Sequence, residues 1–374
     1  VGGVRRSAMI SLSNLSDDRM RHAKSGAWWD NDPQRALANN SVSYTEKPDA
    51  ISFMREWMAL VESGSGERGI FNREASKKQA AKYGRRDPDY EFGVNPCSEI
   101  ILRPYQFCNL TEVVVRATDT IESLSRKVRL AAILGTIQSN YTKFPYLRKV
   151  WQRNTEEERL LGLSLTGIMD NPLMTTANTE LEDTLEILRK LAVDTNTMWA
   201  DHLGIPASTA ITCVKPSGTV SQLVDSSSGI HARHSNYYIR TVRGDNKDPL
   251  TQFMKDQGIP SEPDVMKPDA TTVFSFPIKS PDNAIVTSDL SAIEQLQTWL
   301  IYQRHWCEHK PSITVNVKKD EWFAVGAFVY EYFDEMSGVS FLPYNEHTYQ
   351  QAPYQEVGKN DYNMLSSLMP KVID

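Results

Sequence analysis

No apolar run in this sequence approaches the length of a membrane span, and the opening V-G-G-V-R-R-S-A does not read as a signal peptide. Cysteine is scarce. The four in 374 residues, at 97, 108, 213 and 307, are too few and too irregularly spaced for a disulfide scaffold or a zinc site. Such usage suits a reducing cytoplasm, where two thiols close in sequence are more often redox-active than structural. An excess of positive charge is missing too. A formal net charge of −6 and a pI near 5.8 argue against a general nucleic-acid binder, and neither nucleic acid nor membrane is expected as a partner. No internal repeat or low-complexity linker interrupts the chain. What remains, 40% apolar and 24% charged residues, is an ordinary globular composition. The length exceeds that at which single cores usually stop growing, although α/β barrels reach it as one domain.

One stretch organises the rest: F-G-V-N-P-C-S-E-I-I-L-R-P-Y-Q-F-C-N-L, from Phe92 to Leu110. Asn95, Cys97 and Glu99 stand at alternating positions, so an extended chain would turn an amide, a thiol and a carboxylate to one face. Pro96 favours a loop tip over a central strand. Cys108 follows at the start of another apolar run, far enough along for a loop and a return. A cysteine is more often a small buried hydrophobe than a reactive group, and Asn-Pro is a common turn. The spacing by itself leaves both readings open.

Around this stretch the periodicities alternate. M-I-S-L-S-N-L and S-V-S-Y-T-E read as strands, and Trp28 to Asn40 as irregular chain. Pro48 to Ser63 reads as a core helix with Ile51, Met54, Trp57, Met58 and Val61 inward, and Phe71 to Tyr83 as a solvated helix. T-E-V-V-V-R-A is a buried-type strand. Thr120 to Asn140, Glu156 to Met169 and Thr179 to Leu203 read as amphipathic helices. From Thr271, strands alternate with helices at Ala292 to His309 and Asp320 to Met336, which predicts βα units and a largely parallel sheet.

A second chemical segment, K-P-S-G-T-V-S from Lys215 to Ser221, lies where the apolar run T-A-I-T-C-V hands over to a helix. A glycine with several hydroxyls at a helix start offers free backbone N–H groups and a positive dipole end, which suits phosphate. It is not a Walker loop, because the G-x-x-x-x-G-K spacing is absent, and P-S-G-T is also an ordinary capped turn.

N-P-C-S-E-I followed by F-C-N-L resembles the active-site finger loop of ribonucleotide reductase large chains. Three further segments resemble that family in the right order: V-G-G-V-R-R, K-P-S-G-T-V-S with the following S-S-S-G-I-H-A-R-H-S-N-Y-Y-I-R-T-V-R, and F-L-P-Y-N-E-H-T-Y-Q-Q-A-P-Y-Q-E. The last looks most like the class II, adenosylcobalamin-dependent branch, particularly the ribonucleoside-triphosphate reductases. The resemblance implies an α/β fold: a ten-stranded α/β barrel of the ribonucleotide reductase and glycyl radical enzyme type, with residues 1–374 forming one catalytic domain incomplete at its N-terminus. It implies Cys97 as the thiyl radical, Glu99 as general base, Asn95 as ribose ligand and Cys108 as half of a reducing pair. By the same resemblance Ser217, Gly218, Thr219, Val220 and Ser221 cradle substrate phosphates. Gly2, Gly3, Val4, Arg5 and Arg6 form the loop that relays the identity of a deoxynucleotide effector. Cys213 and Cys307 match no family cysteine and read as buried thiols, and His231 and His234 as polar structural residues.

The implied cofactor is adenosylcobalamin, and no protein metal site is expected. Class I chains carry a tyrosine pair near the C-terminus, whereas Tyr237-Tyr238 lies just after the phosphate segment; a class III glycyl-radical segment is not seen. No D-x-H-x-x-G is present, so the cobalamin would bind without a protein histidine replacing its own base. The implied partners are a ribonucleotide, a deoxynucleotide effector, a thioredoxin-type reductant and an N-terminal part carrying the second reducing cysteine. Lacking that cysteine and a C-terminal pair, these residues alone are expected not to turn over. The alternatives are a class I-type large chain needing a radical-generating subunit, and a non-catalytic split fragment.

Overall fold

The structure, a computed structural model, describes residues 9–344 and 350–372. The chain divides into two compact units, one of Val1–His231 with Leu290–Tyr344 and one of Ala232–Asp289 with Asn345–Asp374.

The first unit holds two main sheets. One is ordered β1 (Met9–Ser13), β2 (Ala38–Tyr44), β3 (Gly69–Asn72), β13 (Val339–Pro343), β12 (Ile313–Val317). Strands β1, β2 and β3 run parallel, as do β12 and β13, and the two sets meet antiparallel at Ile70 and Val339. The other sheet is parallel, in the order β6 (Asn109–Val114), β7 (Leu161–Thr166), β8 (Thr212–Cys213). Just past β8, Val214 bridges Pro311: its N–H donates to the Lys310 carbonyl (3.1 Å) and its own carbonyl accepts from the Ser312 N–H (2.9 Å). The lead-in to β12 therefore runs alongside the end of β8. This is an α/β fold, and no closed ring of strands is formed among the described residues.

Several predicted elements stand where the periodicity put them, because their ends are chemically marked. The Thr179–Leu203 helix is capped by the Asn178 side chain and stopped by Gly204 at φ +66°. The Ala50–Ser63 helix starts on Asp49, which accepts from the N–H groups of Ile51 and Ser52, and stops at Gly64. Its inward face differs from expectation. Ile51, Met54 and Met58 are exposed, while Phe53, Glu56 and Leu60 are buried. The reason is Arg68, 2% exposed, whose guanidinium is held by both oxygens of Glu56 (2.6 and 2.9 Å). A buried cation needs a buried partner, and that sets which side of the helix turns in.

Two further expectations are corrected. The helix read over Glu156 to Met169 is the C-terminal end of a Lys149–Glu158 helix followed by β7, all six residues of which are buried. A central parallel strand is covered on both faces, so it reads as a continuous apolar run and loses its period-2 signature. The helix read from Phe71 starts at Arg73, because Asn72 caps it and Phe71 belongs to β3.

In the second unit the order is β10 (Ser261–Pro263), β11 (Thr271–Lys279), β9 (Tyr237–Asp245), β14 (Tyr354–Glu356), and every pairing is antiparallel. The Thr271 strand thus does not join a parallel sheet. It pairs over nine residues with β9, from Thr271 opposite Asp245 to Lys279 opposite Tyr237.

Lys310 is 1% exposed, with its Nζ on the Ser337 hydroxyl and over the Phe71 ring. Burial lowers its pKa from 10.5 to about 7. Between those values the unfolded chain binds the proton and the folded one does not. Stability is therefore lost as pH falls from 10.5 towards 7 and changes no further below that. Lys310→Met is expected to stabilise the protein at pH 7 by about 1–3 kcal/mol, after the orphaned Ser337 hydroxyl is counted. The gain should shrink towards pH 10, as read from urea midpoints across that range.

Candidate active site

The organising stretch forms a hairpin, β4 (Gly93–Val94) against β5 (Ile101–Leu102), with residues 95–100 at its tip. The tip is not extended. Ser98 donates its N–H to the Asn95 carbonyl (2.8 Å) at φ +64°, and the Asn95 side chain accepts from the Ile100 N–H (3.0 Å). The alternation expected of a strand is therefore absent, and Asn95, Cys97 and Glu99 are presented by a turn. Pro96 is the reason: it cannot serve a ladder and it starts the reversal. The tip is held from outside. Asn39 donates to the Pro96 carbonyl (2.7 Å), and Gly338 lies so close that a Cβ there would sit 3.2 Å from the Ser98 carbonyl.

Cys97 is half-buried and faces a cavity of about 280 Å³. Other walls come from Ile10 of β1, Asn39 and Asn40 of β2, Thr314 of β12, Ser340 of β13, and Pro216. Asn95 and Glu99 do not line it. Glu99 is fully buried. Its Oε1 pairs with Lys215 Nζ at 2.9 Å, its carbonyl accepts from the Lys310 N–H (3.0 Å), and its Oε2 is buried with no hydrogen-bond partner. Cys108 feels the same carboxylate: burial first, and then Glu99, push its thiol up to about 12. A thiol that keeps its proton suits hydrogen donation rather than thiolate attack.

The segment after β8 is the turn foreseen as a phosphate cradle. Gly218 caps the short Thr219–Leu223 helix. Gly218, Thr219 and Val220 are exposed, and Ser217 and Ser221 are buried. The two serines hold the turn itself: Ser217 Oγ accepts from the Ser221 N–H (3.1 Å), and the Ser221 hydroxyl donates to the Ser217 carbonyl. Ser217 Oγ also donates to Glu112 Oε2 on β6 (3.0 Å). Burial raises the pKa of Glu112, and its Oε1 is an unpartnered buried atom.

Cys97, Glu99, Cys108 and the turn thus come together, linked by Pro216 on the cavity wall and Lys215 on Glu99. Gly2, Gly3, Val4, Arg5 and Arg6 lie outside the described residues. Cys213 and Cys307 are fully buried, with thiols pushed well above the ordinary range by that burial. His231 takes the Thr314 N–H on Nε2 (3.0 Å) and faces the Ser228 carbonyl with Nδ1 (2.9 Å), a structural tie.

Sequence reasoning missed Glu112, the pairing of Lys215 with Glu99, and the frame under the hairpin. Arg86 binds both oxygens of Glu158 (3.0 Å each) and the Ile101 carbonyl (2.9 Å). Gln106, just before Cys108, donates to Glu158 and accepts from the Arg103 N–H (2.8 Å). The contacts to Glu158, Ser217 and Glu99 span 52 to 116 positions and leave no periodic trace; the ordering of charges along the sequence carries no signal for them.

No protein-family model matches the chain. It is 29% identical over 96% of its length to the adenosylcobalamin-dependent ribonucleoside-triphosphate reductase of Lactobacillus gasseri, covering 52% of that protein. The reductase of the same description from Euglena gracilis is 27% identical over 96% of this chain and 49% of its own length. A solved B12-dependent, class II ribonucleotide reductase superposes with a TM-score of 0.84 at 26% identity, over 97% of this chain and 54% of the other. The chain is thus similar in sequence and in fold to class II ribonucleotide reductases. It spans about half the length of the relatives it matches. A class Id ribonucleotide reductase alpha subunit from Actinobacillus ureae, 13% identical over 89% of this chain and 70% of its own, shares the fold with a TM-score of 0.59.

Proposed function

We propose that this chain carries the catalytic centre of an adenosylcobalamin-dependent reductase that converts ribonucleoside triphosphates to 2′-deoxyribonucleotides by thiyl-radical chemistry. One observation carries the reading. Cys97 and Pro216 wall one cavity, while Glu99 is tied to Lys215, at the base of the same turn, with its second oxygen buried and unpartnered. In that arrangement the Cys97 sulfur radical takes the 3′ hydrogen atom of the ribose, and Glu99 Oε2 accepts the 3′-hydroxyl proton. Asn95 steadies the ribose hydroxyls. The 2′-hydroxyl leaves as water with a proton from Cys108, and Cys108 with a second thiol ends as a disulfide after giving two electrons. The exposed backbone of Gly218, Thr219 and Val220 takes the phosphates, held open by the Ser217–Ser221 bonds.

The amides of Asn39 and Asn40 and the hydroxyls of Thr314 and Ser340 fit the nucleoside end of adenosylcobalamin; the cavity is too small for a corrin ring. The cofactor when bound supplies the radical that activates Cys97. A deoxynucleotide effector acting through residues 2–6, recharge by a thioredoxin-type reductant and a reducing cytoplasmic setting belong to the same reading. So does a ten-stranded barrel, which the Val214–Pro311 bridge between the two sheets supports. The class I alternative is the weaker one, since the class Id subunit shares only the fold. The test is product. The polypeptide, joined to an N-terminal part that carries the second reducing cysteine and given adenosylcobalamin, a ribonucleoside triphosphate and excess dithiothreitol, should form deoxynucleotide. Formation that persists without the cobalamin would overturn the assignment.

A further inference from the structure

Lys215 belongs to the phosphate turn and reaches Glu99 in the hairpin tip, and no chemical step above uses it. Its backbone is pinned: the N–H donates to Ser164 Oγ at 2.8 Å, and its carbonyl lies where a Cβ on Gly229 would come within 2.5 Å. Pro216 follows directly, fixing φ and stiffening the link to Ser217. The side chain leaves this clamp and reaches Glu99 Oε1 at 2.9 Å, where the carboxylate is fully buried and the lysine only 16% exposed. The thiols of Cys108 and Cys213 also feel Glu99, and they offer it no positive charge.

We propose that Lys215 is a positioning residue for the base: its ion pair keeps Glu99 ionised, turns Oε2 towards the ribose, and couples the base to occupancy of the phosphate turn. This rests on the ribonucleotide-reducing function proposed above. The physics is that of a buried pair. A carboxylate sealed from water without its cation is so unfavourable that it takes up a proton instead, and a protonated Glu99 cannot accept one from a 3′-hydroxyl. Because Lys215 and Ser217 are separated only by a proline, phosphate that orders the turn also orders the ammonium. Substrate binding and readiness of the base then rise together. Arginine could hold the charge but, with its planar fork, not the same single contact.

The test uses Lys215→Met and Lys215→Arg, each with and without Glu99→Gln. Infrared spectra at neutral pH should show the carbonyl band of a protonated carboxylic acid in Lys215→Met, absent from the unsubstituted chain and from Lys215→Arg, and removed by Glu99→Gln. Binding of a ribonucleoside triphosphate, followed by calorimetry, should weaken about tenfold in Lys215→Met, equivalent to about 1.4 kcal/mol. In the Glu99→Gln background the same substitution should change it less than about threefold, because the unpaired acid is already gone. If Lys215→Met does not fold, Lys215→Met with Glu99→Gln should, as no buried charge is left alone; failure of both overturns the proposal. So does a missing acid band, or an equal loss of binding in both backgrounds. A band that appears in a chain whose unsubstituted form binds no ribonucleotide leaves the ion pair standing. It overturns the coupling to phosphate and the function on which that coupling rests.

Discussion

On the proposed function, and in the chain joined to an N-terminal part that carries the second reducing cysteine, Cys97→Ser is expected to bring deoxynucleotide formation below detection while leaving the fold intact. The exchange is nearly isosteric at a half-buried turn, so packing changes little. The chemistry changes completely. An S–H bond is close in strength to the ribose C–H bond it must exchange with, whereas an O–H bond is much stronger and the serine is not converted to a radical. Each added 1.4 kcal/mol of barrier costs about tenfold in rate, so a gap of several such steps leaves no measurable turnover. The measurement is deoxynucleotide formed per polypeptide, beside a ribonucleotide titration that should remain within about threefold of the unsubstituted protein. Loss of binding in step with loss of product would mean that Cys97 serves packing, and residual turnover would remove it from the radical step.

Glu158→Ala should give the largest loss of stability. Glu158 is 4% exposed and Arg86 is 4% exposed; their two-point contact is reinforced by Gln106. Removing one partner of a buried ion pair leaves the other uncompensated and costs about 3–5 kcal/mol. That is a large share of the roughly 5–15 kcal/mol by which a native protein is stable. The frame has a second effect, because Arg86 holds the Ile101 carbonyl at one end of the hairpin and Gln106 stands two residues before Cys108 at the other. The spacing of Cys97 from Cys108 is therefore set by this pair. Urea denaturation should show the midpoint falling, and alkylation of Cys108 should accelerate as its thiol becomes solvated and leaves a value near 12. An unchanged midpoint would place the pair among the contacts that contribute nothing measurable.

The sequence spoke most clearly where chemistry is local. Asn178 and Gly204 mark the ends of their helix by capping and by left-handed backbone, both properties of single residues. The same holds for Pro96, which placed Cys97 at a tip before any contact was known. It spoke least clearly in β7, whose burial on both faces erased the period that tells strand from helix. Phe71 likewise falls in a four-residue strand too short to show a period. In the Ala50–Ser63 helix, counting apolar residues chose the wrong face, because the inward side is fixed by the charge of Arg68, twelve positions from Glu56.

By itself the sequence determined the inventory and the chemistry available: a thiol beside a carboxylate on a turn, a second thiol shortly after, and a glycine-serine turn following an apolar run. These are consequences of residue type and near spacing. Tertiary structure alone decided which of those groups meet. Lys215 reaches Glu99 across 116 positions, Glu112 reaches Ser217 across 105, and Arg86 reaches Glu158 across 72. Such pairings arise because buried charges and polar atoms must find partners once water is excluded, and the folded chain, not the order of residues, sets which partner is near.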